Sequence, residues 1–225
     1  MNTSLPIFLA VMILLQNSWC QADATNFHTQ TIKLALTQEP PQLNGMKATD
    51  QVSVMVLGHI MEGLTRYDRR GRLVPGVAER WEVTDKRATF WLRPDARWSN
   101  GDTVTAHDFV FAWQTTLNPA TASEYAFILY AIKNAEAINQ GKLAPEQLGV
   151  QAPDDFTLTI ELERPTAYFS KLTAFVSYFP IQEKFYKSRL DRYAADADDL
   201  IFNGPFKMTD WVHSASMKLK KNPLY

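Results

Sequence analysis

Residues 78–113 read AERWEVTDKRATFWLRPDARWSNGDTVTAHDFVFAW, and the order of patterns in this stretch decides the fold. A strand-like alternation places Ala88, Phe90 and Leu92 on one side of the backbone. Residues 99–102, SNGD, predict a tight turn, because Asn-Gly readily adopts the positive φ that such turns need. The period of the pattern then changes, which predicts a helix after the turn.

This helix is predicted to begin after Thr105. The Thr105 hydroxyl and the Asp108 carboxylate are spaced for a capping box, and the carboxylate also suits the positive end of a helix. Phe109, Trp113 and Leu117 follow at four-residue spacing and give the helix one apolar face. Aromatic residues in such positions usually belong to the core. We therefore expect the four tryptophans of the stretch in the core: Trp81, Trp91, Trp98 and Trp113.

The same order of strand, Trp-Ser-Asn-Gly turn and Thr-Ala-x-Asp helix start resembles the signature of a known family. This family is that of the bacterial extracytoplasmic solute-binding proteins, family 5, whose members serve peptide importers. Residues 118–125, NPATASEY, are similar to the oligopeptide-binding branch, and residues 62–78 and 203–225 also carry patterns of the family. The resemblance covers nearly all of residues 31–225, but only the N-terminal half of a family member.

The resemblance implies an α/β fold: a periplasmic-binding-protein-like lobe of the class II or cluster C type, with an inserted small α+β domain and the second lobe missing. We expect residues 25–61 and 183–225 to form a discontinuous, incomplete main lobe, and residues 62–182 to form the inserted domain. In the family, the second lobe holds the charges that grip the termini of the peptide. Because burying those termini without partners is costly, we expect the 225-residue chain alone to bind peptide weakly or not at all.

Several local predictions accompany this plan. Residues 31–36 alternate in polarity and predict a strand. Either Thr49 or Asp50 is expected to cap a following helix. Gly63 stands just past the expected end of that helix, where a left-handed residue is favoured. Residues 123–140 show helical periodicity and predict a helix.

Residues 1–24 predict a secretory signal peptide. The apolar run of residues 5–15 is shorter than the roughly 20 residues that a membrane-spanning helix needs, and residues 22–24, ADA, offer a cleavage site. Cys20 raises the alternative of a lipoprotein, but lipid attachment requires a small residue where this chain has Trp19. We therefore expect a periplasmic protein released by cleavage, with lipid anchoring through Cys20 as the alternative.

Candidate ligand-binding residues follow from the resemblance. In the family, the loop before the first helix lines the cleft and pairs its backbone with the bound peptide, and the corresponding residues here are Thr49, Asp50 and Gln51. The tyrosine that faces the cleft in the oligopeptide-binding branch corresponds to Tyr125. A tyrosine offers a flat apolar ring and one hydroxyl, so it grips a backbone without selecting a sequence. The alternatives are that Thr49 and Asp50 only cap the helix and that Tyr125 is a partly buried core residue.

Composition and motifs argue against several other classes of protein. The 23 Lys and Arg residues nearly balance the 24 Asp and Glu residues, whereas a nucleic-acid partner requires a strongly basic face. Cleavage after residue 24 would remove the single cysteine, so we expect no disulfide and no thiolate metal site. The sequence has no G-x-S-x-G elbow, phosphate loop or dinucleotide fingerprint. None of the four histidines has metal-ligand spacing: His28, His59, His107 and His213. We therefore predict no catalytic residue, no metal and no cofactor.

The function that the resemblance implies is that of a substrate-binding receptor of an ABC importer. Such a receptor, expected here to be a monomer, captures oligopeptides in the periplasm as an added strand and delivers them to permease subunits in the inner membrane. A different ligand on the same scaffold, such as a murein peptide, a nickel complex or haem, is an alternative. A secreted hydrolase on a related scaffold is the alternative from another functional class.

Overall fold

The computed structural model of the protein describes residues 25–26 and 31–225. The chain divides into two compact units, Met1–Thr37 and Gln38–Tyr225. The predicted signal peptide, residues 1–24, lies outside the described residues.

In the first unit, the residues that the structure describes form one short pair of strands. Strand β1 (Thr25–Asn26) pairs with β2 (Thr31–Ile32) in antiparallel orientation. The strand predicted over residues 31–36 is therefore only two residues long, and the prediction was wrong beyond Ile32. The side chains of Ile32 and Leu34 are 65% and 68% exposed. The alternating pattern therefore does not bury Ile32 and Leu34, so burial of an apolar face does not extend the strand beyond Ile32.

The second unit combines antiparallel strands with short helices. Its strands are β3 (Thr65–Tyr67), β4 (Leu73–Pro75), β5 (Ala78–Val83), β6 (Arg87–Leu92), β7 (Val150–Asp154), β8 (Thr157–Glu161), β9 (Phe206–Val212) and β10 (Ser216–Lys221). Its α-helices are α1 (Gln51–Ile60), α2 (Ala106–Leu117), α3 (Ala135–Asn139), α4 (Phe169–Leu172) and α5 (Glu183–Arg189). Short 3-10 helices cover Pro119–Thr121, Ala126–Ala131, Pro145–Gln147, Val176–Tyr178, Leu190–Arg192 and Ala197–Asp199. In the described ranges, none of the helices has both the length and the hydrophobicity to cross a bilayer.

Four strands form an antiparallel sheet in the order β5-β6-β8-β7, while β3 pairs with β4 and β9 pairs with β10. The alternation predicted for β6 is confirmed, because Ala88 and Phe90 are fully buried. Their cross-strand neighbours on β8 are Ile160 and Leu158, which are also fully buried. The Phe90 ring lies 6.3 Å from the ring of Phe169 in α4. The inner face of this sheet therefore packs on α4 and forms a large part of the core.

Helix α2 begins directly after Thr105, as predicted. The Asp108 carboxylate accepts hydrogen bonds from the Thr105 backbone N–H at 2.8 Å and from the Trp98 indole N–H at 3.1 Å. Trp113 is fully buried in the same helix and donates its indole N–H to the Tyr178 carbonyl at 3.1 Å. The Trp98 indole thus joins the turn to helix α2 by donating a hydrogen bond to the buried Asp108 carboxylate.

The core prediction for the four tryptophans is confirmed for two of them. Trp98 and Trp113 are at most 1% exposed, whereas Trp81 and Trp91 are only half-buried. Trp91 lies on the outer face of the sheet, where the Arg80 guanidinium stacks 3.5 Å from the centre of its ring. A cation over an aromatic face is favourable at a solvated site, so this ring is stable without full burial.

Two local predictions were wrong. Gly63 does not adopt a left-handed conformation, because α1 already ends at the extended residue Met61. Residues 123–140 do not form one helix, since the backbone breaks between the 3-10 helix Ala126–Ala131 and α3. At this break Ile132 forms an antiparallel bridge with Leu162, so a tertiary contact overrides the local helical pattern.

The chain closes on itself where the predicted main lobe meets the predicted inserted domain. The Glu62 backbone N–H donates to the Asn203 side-chain oxygen at 3.0 Å, and the Asn203 side-chain amide donates back to the Glu62 carbonyl at 2.9 Å. The Gly204 N–H donates to the Ile60 carbonyl at 3.0 Å. The division into residues 25–61 plus 183–225 and residues 62–182 remains a prediction.

Candidate functional site

The structure brings together the candidate residues that lie far apart in the sequence. Thr49, Asp50 and Gln51 form the turn that leads into α1, and Tyr125 immediately precedes the 3-10 helix Ala126–Ala131. The Tyr125 hydroxyl donates to the Thr49 carbonyl at 3.3 Å across 76 positions of sequence. We call these four residues the candidate surface.

A second contact fixes the two parts of the candidate surface against each other. The Ser123 hydroxyl donates to the Met46 carbonyl at 2.5 Å. The Met46 N–H in turn donates to the side-chain oxygen of Asn44 at 3.0 Å, which closes the loop before the turn. The loop is therefore held by the same motif that carries Tyr125.

Asp50, rather than Thr49, provides the cap of helix α1. Its carboxylate accepts the Ser53 N–H at 2.8 Å, and its backbone is extended, with φ −92° and ψ 153°. Partial burial by itself raises the pKa of Asp50, but the hydrogen bonds from Ser53 and from nearby backbone groups lower it below its usual value. Gln51 is the first residue of the helix, and its N–H therefore has no intrahelical acceptor. The capping role leaves backbone groups of the turn available for a ligand.

Aromatic side chains extend the candidate surface beyond Tyr125. The Tyr125 ring meets the Phe127 ring edge to face at 5.9 Å and lies 6.1 Å from the Phe175 ring. We call Tyr125, Phe127 and Phe175 the aromatic ridge. Phe127 and Phe175 were not among the ligand-binding residues predicted from the sequence. A regular helix turns about 100° per residue, so it would place positions two apart on different faces. Tyr125 lies outside the 3-10 helix, and this irregular backbone lets its ring reach Phe127.

A separate groove of about 930 Å³ does not involve the candidate surface. Its aromatic lining includes Phe111, Tyr186, Tyr193 and Trp211. At its edge, Glu39 accepts from the Trp211 indole at 3.0 Å and pairs with His213 at 2.6 Å. The hydrogen bond with His213 lowers the pKa of Glu39 and raises that of His213. These contacts connect the loop around Glu39 to the hairpin β9–β10.

The described residues contain no group of three or more His, Cys, Asp and Glu side chains placed to hold a metal ion. Asp108 is the buried carboxylate with the clearest change in acidity, since desolvation raises its pKa to about 6. Its partners are Thr105 and Trp98, and it forms no part of the candidate surface. The candidate surface thus consists of the polar turn of Thr49, Asp50 and Gln51, in which the Asp50 carboxylate is engaged as a helix cap, and of the ring and hydroxyl of Tyr125. Backbone groups beside an aromatic ring suit ligand binding.

The sequence of this chain is similar to one family of known proteins. Residues 72–225 match the family described as bacterial extracellular solute-binding proteins, family 5. The oligopeptide-binding protein OppA of Bacillus subtilis is 44% identical over 197 residues, which cover 87% of this chain and 36% of the relative. The periplasmic murein peptide-binding protein MppA of Escherichia coli is 37% identical, and the match covers 84% of this chain and 36% of the relative.

A solved structure shows the same fold. The structure of Listeria monocytogenes OppA bound to peptide superimposes with a TM-score of 0.83 at 40% sequence identity, covering 85% of this chain and 38% of the other. The chain spans about a third of the length of the curated relatives it matches. The similarity confirms the expected α/β fold of the periplasmic-binding-protein type.

Proposed function

The chain belongs to family 5 of the bacterial extracellular solute-binding proteins, and from this premise we propose that it serves in peptide capture for an ABC importer. The candidate surface would form one wall of the ligand cleft. The observation that carries the proposal is the hydrogen bond from the Tyr125 hydroxyl to the Thr49 carbonyl. It joins the two motifs that the resemblance assigns to the cleft. The names of the relatives, which bind oligopeptides or murein peptides, support the same class of ligand.

In the proposed complex, an extended peptide lies along the turn of Thr49, Asp50 and Gln51 as an added strand. Backbone hydrogen bonds would supply affinity that is independent of the peptide sequence. The Gln51 N–H is a suitable donor, because it stands at the start of a helix and has no partner within it. The Tyr125 ring would pack on the peptide, while its hydroxyl keeps the turn in position.

Nuclear magnetic resonance can test this mode of binding. A ¹⁵N-labelled polypeptide of residues 25–225 is titrated with trialanine up to millimolar concentration. We expect the largest shifts at the amides of Thr49, Asp50 and Gln51, and none at Lys220 on β10. Tyr125→Ala should weaken these shifts, whereas Tyr67→Ala, a change of an exposed tyrosine on β3, should not. Equal shifts at Lys220, or none at the turn, would contradict the proposal.

We further propose that the protein carries out no bond-breaking chemistry and needs no metal or cofactor. The two titratable side chains of the candidate surface both have structural partners, since Asp50 caps α1 and the Tyr125 hydroxyl donates to the Thr49 carbonyl. This supports binding over the alternative of a secreted hydrolase. Incubation of the purified protein with a peptide mixture, followed by mass spectrometry, should return every peptide intact. Cleavage of any peptide by the purified protein would contradict the proposal. Permease and ATPase genes beside the gene of this protein would favour a role in delivering peptides to permease subunits in the inner membrane.

The proposed place of action is the periplasm, after cleavage of residues 1–24, and the proposed state is a monomer. Mass analysis of the exported protein should give a mature chain that begins near residue 25. A lipid-modified terminus at Cys20 would instead establish the lipoprotein alternative. Analytical ultracentrifugation of the mature protein should give the mass of one chain.

A murein peptide is the second candidate ligand, and the similarity to MppA favours it. Competition separates the two possibilities. If the protein is an oligopeptide receptor, trialanine and a murein tripeptide should displace each other with affinities within about tenfold, a difference of about 1.4 kcal/mol. A much larger preference for the murein tripeptide would assign the ligand to the second class.

A further inference from the structure

We propose that Phe127 is a specificity-determining residue that binds one apolar or aromatic side chain of the peptide ligand. The inference rests on the proposed function, because it requires a peptide on the candidate surface. It goes beyond that function because it assigns a preference for one peptide side chain, whereas the proposed function involves contacts with the peptide backbone. The ligand class it names is a peptide with a large apolar residue at one position.

The first observation is that Phe127 is exposed next to the proposed peptide path. Its side chain is 58% exposed, although it is a large hydrophobic group. Its ring contacts the edge of the Tyr125 ring at 5.9 Å, and the Tyr125 hydroxyl reaches the turn at Thr49. Phe127 is thus continuous with the candidate surface and is not an isolated surface residue.

The second observation is that the backbone around Phe127 is firmly anchored. Residues three apart in a 3-10 helix lie on the same side, and Ala126 and Leu129 on the inner side are at most 1% exposed. The carbonyl of Ile128 accepts the hydroxyl proton of the buried Tyr178 at 3.0 Å. Because its neighbours are fixed inward, Phe127 must project outward. Its exposure follows from the register of the helix.

The chemistry of the aromatic ridge decides which ligand group fits. The three rings of Tyr125, Phe127 and Phe175 carry no formal charge, and the one hydroxyl of the ridge is engaged with Thr49. What they offer a ligand is apolar surface and ring edges, which favour aliphatic and aromatic side chains. An extended peptide projects alternate side chains to the same side. A peptide whose backbone pairs with the turn would therefore direct some of its side chains towards the ridge.

The test compares four peptides on the polypeptide of residues 25–225: trialanine and the three tripeptides in which one alanine is replaced by phenylalanine. Affinities are taken from the amide shifts of Thr49, Asp50 and Gln51. We expect at least one phenylalanine peptide to bind about three- to tenfold more tightly than trialanine. Phe127→Ala should reduce this ratio to near one, and Phe127→Leu should retain part of it.

Tyr67→Ala, which removes a comparably exposed ring from β3, serves as the matched control and should keep the full preference. Equal binding of all four peptides by the unmodified protein, or an unchanged ratio in Phe127→Ala, would overturn the inference while leaving the proposed function intact. Absence of any peptide-induced shift at the turn would count against both. Circular dichroism establishes that each variant is folded.

Discussion

At Gly63 the backbone passes so close to another segment that no side chain fits. A methyl group there would collide with the Thr173 carbonyl oxygen and would lie 3.0 Å from the Phe179 ring. The residue is therefore required by packing and not by its φ angle. By contrast, a methyl group at Gly58, inside α1, would meet no atom within 4 Å.

These two glycines give opposite predictions. Gly63→Ala should lower the free energy of unfolding by about 1–3 kcal/mol, because backbone atoms must shift to admit the methyl group. Gly58→Ala should raise it by about 0.5–1 kcal/mol, because alanine favours a helix. Urea unfolding of both variants is the measurement. A neutral Gly63→Ala variant would show that the contact with Thr173 relaxes at no cost.

The free energy of unfolding is expected to depend on pH because Asp108 is buried. Desolvation raises its pKa from 3.8 to about 6, even though Thr105 and Trp98 donate hydrogen bonds to the carboxylate. The folded protein consequently holds this proton more tightly than the unfolded chain does. Its contribution to stability is complete below about pH 4 and is lost as the pH rises to about 6 and beyond.

We therefore expect unfolding free energies of the unmodified protein and of Asp108→Asn to diverge with pH. Between pH 4 and pH 7, the unmodified protein should lose up to about 3 kcal/mol more than the variant. Asparagine is the suitable replacement, because it keeps an oxygen acceptor without a titrating proton. Parallel pH curves for the two proteins would rule out this origin of the pH dependence.

Among the elements, helix α1 connects local structure to the candidate surface. The Asp50 cap fixes its first turn, and the same turn supplies Thr49 and Gln51 to the proposed cleft. Loss of the cap would leave the first-turn N–H groups without an acceptor and loosen the start of the helix. Loss of the Asp50 cap should therefore lower both the stability of the protein and its affinity for a ligand.

Asp50→Ala is expected to lower the free energy of unfolding by about 1 kcal/mol, while Asp50→Asn, which retains a capping oxygen, should cost less. Hydrogen exchange should show faster exchange at the Ser53 amide in the alanine variant only. If both variants exchange equally fast at this amide, the carboxylate charge and not the cap would be responsible.

For the whole molecule, one buried carboxylate joins distant parts of the second unit. Glu62 is 4% exposed and interacts with the Tyr225 hydroxyl at 2.6 Å, Arg93 at 3.3 Å and Arg66 at 3.4 Å. Burial raises its pKa, and these partners oppose that effect. A buried charge is tolerated only with such partners. Tyr225 and Arg66 of β3 are therefore both held at the Glu62 carboxylate.

The size of the relatives sets an expectation for affinity at this scale. The chain matches only about a third of their length, and the one charged side chain of the candidate surface, that of Asp50, is engaged in capping α1. Calorimetry of residues 25–225 with a tripeptide should show binding weaker than micromolar, that is, less favourable than about −8 kcal/mol. Micromolar or tighter binding would show that this polypeptide forms a complete site by itself.

Patterns in the sequence were sufficient for the elements whose signals are local. The alternation around Phe90, the Asn-Gly turn and the start of α2 after Thr105 all appear as predicted, because each depends on residues that are neighbours in the chain. The resemblance also gave the fold and selected Tyr125 and the Thr49 turn. That these residues touch, however, appeared only in the structure.

The tertiary structure decided whatever depends on which distant segment lies opposite. It broke the helix predicted over residues 123–140 at Ile132, and it made Gly63 necessary for packing. It also exposed Phe127 beside Tyr125. The physical reason is common to all three: local propensities differ by about 1 kcal/mol or less per residue, whereas a steric overlap, a backbone hydrogen bond or a buried side chain contributes at least as much.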